Sequence, residues 1–127
     1  MIHFHNNIII KNSNNNIYNF ENTLSIQNSL YIKNSSNLII IITNKINKII
    51  VEKSNTIYLL VSNLIIGLEI TNSNNIILQV NQTSSNQGVI IPSIDLDKST
   101  LILLGSIDKY LSTLVNSYKS EICLINN

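Results

Sequence analysis

Six times along the chain an apolar, β-branched strand runs into a short turn of Asn, Ser and Lys and then into a second apolar strand. The repeat can be anchored on Ile10, Ile32, Val51, Ile70, Leu96 and Val115, at intervals of 22, 19, 19, 26 and 19 residues. A period near 20 is the mark of a solenoid, whose coils bury their hydrophobic faces only against their neighbours. Each coil reads as two strands around a polar corner: 29–32, corner 33–37 and 38–43; then 49–51, corner 52–56 and 57–61; then 68–70, corner 71–75 and 76–80. Alternation places Leu68, Ile70, Leu78 and Val80 inward, with Glu69 and Gln79 outward. Elsewhere the runs are continuously apolar, as at 38–42, which is the pattern of parallel strands covered on more than one side. Asn suits the corners because it tolerates left-handed backbone angles, and Asn in successive coils can stack into ladders. The longer fourth interval, with residues 82–88 and the single proline Pro92, reads as a protruding loop, and Gly67 and Gly105 as tight bends near strand ends.

Composition sharpens this picture. The chain of 127 residues holds 27 Ile and 23 Asn but no Ala, Arg or Trp. β-Branched residues lose side-chain freedom in helices and suit a pleated surface, so the expectation is an all-β protein, a single domain over residues 1–127. The Ile and Asn excess also looks like the codon bias of an AT-rich genome, which removes functional weight from runs such as Asn14 to Asn16.

Candidate chemistry is sparse. Net charge is +1, and eight Lys are scattered over the coils, so no basic stripe tracks a nucleic-acid backbone. The lone Cys123 lies between Ile122 and Leu124 and is expected to be a buried, inert strand residue. The N-terminus has no secretory pattern, and the longest apolar run, Leu38 to Ile42, is far shorter than a membrane span, so the expected location is cytoplasmic. The sequons at Asn34 and Asn81 are chance matches in a chain this rich in Asn and Ser. His3 and His5 would share a strand face but have no third ligand nearby, and Asp95 and Asp97 share a face without a His or nucleophile beside them. No glycine-rich phosphate loop is present, and neither a cofactor, a metal nor an enzymatic activity is expected.

Several segments share their order with one family. The stretch TNKINKIIVEKSNTIYLLVSNLIIGLEITNSNNIILQV, ending at Val80, carries a K-I-N turn (Lys45, Ile46, Asn47), an acidic corner (Glu52) and an E-x-x-N-S motif (Glu69, Asn72, Ser73). IPSIDLDKST supplies Pro92, Ile94, Leu96 and Lys98, and SEICLI closes the series at Ile125. From about Asn7 to Ile125 the chain resembles the C-terminal β-helical domain of cyclase-associated proteins. The resemblance implies a right-handed parallel β-helix of about six coils that binds monomeric actin and promotes exchange of ADP for ATP, supporting filament turnover. Such a protein needs no chemistry of its own: preferring an actin conformation with an open nucleotide cleft is enough.

The candidate actin contacts are outward charges at family-matched positions: Lys45, Glu69 and Lys98 first, then Glu52, Asp97 and Glu121. Asn72 and Ser73 match the motif as well, but corner structure explains them better. Family members usually continue into a C-terminal hairpin exchanged between protomers, whereas this sequence ends at Asn127, so the family's homodimer is the expectation least supported by the residues present. Two other readings keep the fold. A tubulin-folding cofactor C type would need an arginine finger, and the chain has no Arg. A self-assembling scaffold would stack through uncovered apolar end coils.

Overall fold

The computed structural model describes residues 2–4, 6–81 and 90–126. Thirteen strands follow one another: β1 (Ile2–Phe4), β2 (Asn7–Lys11), β3 (Asn14–Asn19), β4 (Ser29–Lys33), β5 (Ser36–Ile42), β6 (Ile46–Glu52), β7 (Asn55–Val61), β8 (Leu64–Thr71), β9 (Asn74–Val80), β10 (Ser93–Asp97), β11 (Thr100–Leu104), β12 (Leu114–Tyr118) and β13 (Glu121–Ile125). They form two sheets in the orders β1-β2-β4-β6-β8-β10-β12 and β13-β11-β9-β7-β5-β3. Apart from the antiparallel β1–β2 pair, every pairing is parallel between successive coils, giving the expected parallel β-helix, of about five turns.

Alternation along each strand sorts side chains between the core and the outside. In the first sheet Ile10, Ile32, Val51, Ile70 and Leu96 stack in register, as do Ile8, Leu30, Ile49, Leu68 and Ile94, and all ten are buried. The second sheet answers with Leu38, Ile57, Ile76 and Leu101, and with Ile40, Leu59, Leu78 and Leu103. The two sets form one continuous core, closed at the longer corner by Leu24, Ile46, Leu64, Ile91 and Tyr110. Five of the six sequence anchors thus share one register. The sixth does not: Leu96 pairs with Ser117, and Val115 pairs with Ile94. The inward position of the last coil is polar there, so a hydrophobic anchor slips by two residues.

Serine, more than asparagine, makes the tight corner repeat. A residue with left-handed backbone precedes a serine in each coil: Asn12, Asn34, Lys53, Asn72, Lys98 and Lys119, with φ between 48° and 55°. The N–H of each serine donates to the hydroxyl of the serine one coil on, running from Ser13 through Ser35, Ser54, Ser73 and Ser99 to Ser120 at 2.9–3.2 Å. Each hydroxyl from Ser35 onward donates in turn to the carbonyl two residues before it, at 2.8–2.9 Å. Backbone groups that a turn would leave unpaired are thereby satisfied inside the core.

Two further expectations change. Cys123 is exposed: it pairs with Ile102 on the outer side of β13. Among the described residues, the continuously apolar strands of the second sheet have the core on their inner side and no element packed over their outer face. The expected loop at 82–88 lies outside the described residues.

Candidate protein-interaction surface

The outer face of the first sheet is built from the residues that alternate with the core rows. One row runs Ile9, Tyr31, Ile50, Glu69, Asp95, Asn116, and the next Lys11, Lys33, Glu52, Thr71, Asp97, Tyr118. Parallel pairing in fixed register brings side chains 19 to 26 residues apart in sequence to adjacent strands. The result is a face graded in charge. Lys11 and Lys33 lie on β2 and β4, β6 carries both Lys48 and Glu52, and Glu69, Asp95 and Asp97 lie on β8 and β10. Where the two signs meet, Lys33 Nζ lies 4.0 Å from Glu52 Oε2. Both side chains are about two-fifths exposed, so the pair fixes little energy and remains available to a partner.

Within the acidic half Glu69 and Asp95 stand directly opposite one another. Asp95 Oδ1 accepts from Asn116 Nδ2 at 2.8 Å, whereas Asp97 Oδ1 is buried with no partner among the described residues. Like charges on adjacent strands repel, so this half of the sheet is more comfortable beside a cationic surface than alone. A shallow groove of about 470 Å³ runs across it, lined by Glu69, Thr71, Asp95, Asp97, Asn116 and Tyr118.

Of the six candidate residues, the structure gathers Glu52, Glu69 and Asp97 on this face, one on each of three successive strands. Lys98 and Glu121 lie together elsewhere, around a depression at the serine corner that also includes Lys119. Lys45 stands apart, exposed in the turn that leads into β6, on the longer corner. Asn72 and Ser73 are corner residues, with Ser73 fully buried in the hydroxyl ladder. No cluster of three metal-ligating side chains occurs among the described residues. His5, with the side chains of both N-terminal histidines, lies outside them. No described helix is long and apolar enough to cross a membrane.

Comparison with known proteins places this arrangement. The family model described as adenylate cyclase associated (CAP) C terminal matches residues 3–125. The chain belongs to the CAP C-terminal domain family. A crystal structure of cyclase-associated protein from Cryptosporidium parvum superimposes with a TM-score of 0.80 at 28% identity, covering 97% of this chain and 72% of that one. No curated protein sequence matches the chain. The CAP C-terminal domain family is known as an actin-binding domain.

In this CAP domain the sequence reading missed the contribution of Lys11, Lys33 and Lys48 to the same face as Glu69. The signal was present: the residue two before each corner serine is Lys11, Lys33, Glu52, Thr71, Asp97 and Tyr118, and aligning the serines aligns that row. The last coil is also more open than its sequence suggests. Val115, Ile122 and Leu124 continue the core rows yet are 38–40% exposed. Tyr110, by contrast, is tucked under the longer corner, its hydroxyl 2.9 Å from the Leu104 carbonyl, and burial raises its pKa above the usual phenol value.

Proposed function

We propose that this CAP domain binds monomeric actin through the charge-graded outer face of the first sheet and accelerates exchange of ADP for ATP on it, acting in the cytoplasm. The observation that carries the reading is the family match over residues 3–125, and what supports the choice of face is the grouping of Glu52, Glu69 and Asp97 on adjacent strands. A surface of graded charge steers and orients a large protein partner, and mixed charges near an interface set register and on-rate more than raw affinity. Exchange then needs only differential binding. A domain that holds open-cleft actin tenfold more tightly than closed-cleft actin shifts that equilibrium tenfold, about 1.4 kcal/mol, and hastens nucleotide release. Lys98 and Glu121, at the serine corner, are secondary contacts in this reading, and Lys45 on the longer corner lies farthest from its centre.

The test is the release rate of a fluorescent nucleotide from monomeric actin across a concentration series of the domain. Saturable acceleration that is lost in Glu52→Lys/Glu69→Lys supports the proposal. Binding without acceleration would remove the exchange role, and absence of binding would remove the actin reading from this chain. A second reading, a self-assembling scaffold, draws on the exposed Val115, Ile122 and Leu124 of the last coil, where open strand edges invite stacking. Its sign is a mass that grows without limit as concentration rises.

A further inference from the structure

On β2, β4 and β6 the outer face of the first sheet gathers its cations around one aromatic ring. Tyr31 points outward from β4, with Ile9 and Ile50 beside it on the neighbouring strands. Lys33 follows Tyr31 by two residues, Lys11 stands directly opposite Lys33 on β2, and Lys48 lies two residues before Ile50 on β6. A strand spacing of about 4.8 Å and a rise of about 3.3 Å per residue put all three lysine Cα atoms within about 8 Å of the Tyr31 Cα, on three sides of it. Lys33 Nζ is 5.7 Å from the centre of the Tyr31 ring. Against these three lysines the same strands carry one carboxylate, Glu52, whose contact with Lys33 is solvent-exposed and weak. Lys11 and Lys48 form no salt bridge among the described residues. Lys11 and Lys33, as like charges directly opposite one another, repel.

We infer that this cluster binds a compact, soluble polyphosphate seated over Tyr31 with the three ammonium groups around it. Lysine acts on phosphate as a point charge on a flexible stem and needs no fixed fork, so stems rising from three strands suit an anion with oxygens in several directions. A single carboxylate would neutralise one ammonium and leave the repulsion between the others, whereas a multiply charged anion relieves it. Size follows from what lies next on the same face. Glu69, Asp95 and Asp97 stand outward on β8 and β10, with Glu69 two strands from Tyr31. A flat anionic membrane laid on the lysines would press against these carboxylates too, so charge complementarity selects a ligand small enough to stay over β2, β4 and β6. Such a ligand would share the first sheet with the actin contact proposed above and compete with it. The inference nevertheless rests on the lysine geometry alone, and its test contains no actin, so the failure of either reading leaves the other standing.

The experiment is a titration of the intact chain with sodium tripolyphosphate at about 20 mM salt, where screening is weak, followed by amide NMR shifts. Sodium chloride at matched ionic strength supplies the non-specific shifts to be subtracted. The wild type is expected to show saturable shifts centred on Lys11, Tyr31, Lys33 and Lys48, with a Kd of about a millimolar. This map needs no variant to fold, and shifts that fail to saturate, or that centre on other lysines, overturn the inference. Lys11→Gln/Lys48→Gln is expected to bind about 25-fold more weakly, about fivefold for each lysine lost. Lys53→Asn/Lys119→Asn removes the same charge at the serine corner, where asparagine holds the equivalent left-handed position in other coils, and is expected to bind as the wild type does. Equal weakening in the two variants would reduce the effect to net charge and refute a site. Co-sedimentation with phosphatidylcholine vesicles containing about one-fifth phosphatidylserine separates the soluble ligand from a lipid surface. The wild type is expected to stay in the supernatant, and pelleting that is lost in Lys11→Gln/Lys48→Gln would assign the lysines to a membrane and overturn the inference.

Discussion

Replacing Ser73 by Ala isolates what the hydroxyl ladder contributes. Ser73 is fully buried, and its hydroxyl accepts from the Ser54 N–H at 3.0 Å while donating to the Thr71 carbonyl at 2.9 Å. The Thr71 carbonyl keeps a second bond, from the Lys53 N–H at 3.0 Å, so it is weakened but not abandoned. The Ser54 N–H has no such alternative, because Ser54 is itself 5% exposed and water cannot easily reach it. A lost net hydrogen bond costs about 1 kcal/mol and a buried unsatisfied donor about 1–3 kcal/mol, so Ser73→Ala is expected to destabilise by about 2–4 kcal/mol.

Ser120 supplies the internal control. Its hydroxyl makes the same two contacts, to the Ser99 N–H at 2.9 Å and the Tyr118 carbonyl at 2.8 Å, but in the open last coil. Water can replace it there, and Ser120→Ala is expected to cost about 1 kcal/mol or less. Urea unfolding followed by circular dichroism measures both, with equal m-values required for the comparison. Equal losses at the two positions, or a loss below about 0.5 kcal/mol at Ser73, would refute the idea that burial of the ladder, and not corner sequence alone, holds the coils together.

Three other expectations follow from particular contacts. Tyr110 has a folded pKa raised by burial, so its contribution is fully present below the unfolded value near pH 10 and is lost as pH rises through the folded value; Tyr110→Phe should cost about 1 kcal/mol at neutral pH and flatten the alkaline loss of stability, and an unchanged alkaline profile would count against the assignment. Gly67 has φ +150°, and a Cβ there would lie 2.2 Å from the Ser93 carbonyl oxygen, so Gly67→Ala must part β8 from β10 and should lower stability by about 1–3 kcal/mol or more; a neutral result in urea unfolding would mean the approach of the two strands is easily relaxed. Glu69→Lys is expected to weaken actin binding about tenfold in a titration, about 1.4 kcal/mol, with the difference shrinking as salt is raised; an unchanged affinity at low salt would exclude the acidic half as an anchor.

Much of the fold was legible because a solenoid writes its core several times. Ile10, Ile32, Val51, Ile70 and Leu96 were read as one register and are one, since each is flanked by the same corner and a misalignment would turn its neighbours inside out. The last coil broke the pattern for a physical reason. With no described strand beyond β12 on its sheet, Ser117 meets no apolar neighbour on that side, and the hydrophobic criterion moved to Val115. The corner serines carry the right register at intervals of 22, 19, 19, 26 and 21 residues, but Asn was the commoner corner residue and drew attention from them. Cys123 was misjudged for the related reason that an apolar strand sequence does not say which of its sides is covered. The charged face was partly legible, because Glu69 interrupts an apolar run, while Lys11 and Lys33 join it only through pairings between coils.

The two outer sheets show why coil repetition alone cannot specify a partner. Inward rows are constrained in the same way at every level, so they converge on Ile, Leu and Val. Outward rows carry no such demand, and what accumulates there is set by what touches them. In the first sheet the outward rows drift from lysine to carboxylate along the solenoid axis, a gradient that packing inside the coils does not require. In the second they stay uncharged through six strands, with Asn19 and Gln79 as polar members among mostly apolar residues. A selective pressure from the core would have affected both sheets alike, since their inner rows are equally buried. The difference therefore lies in the outward rows: the first face is suited to a partner of complementary charge, while the second carries no charge.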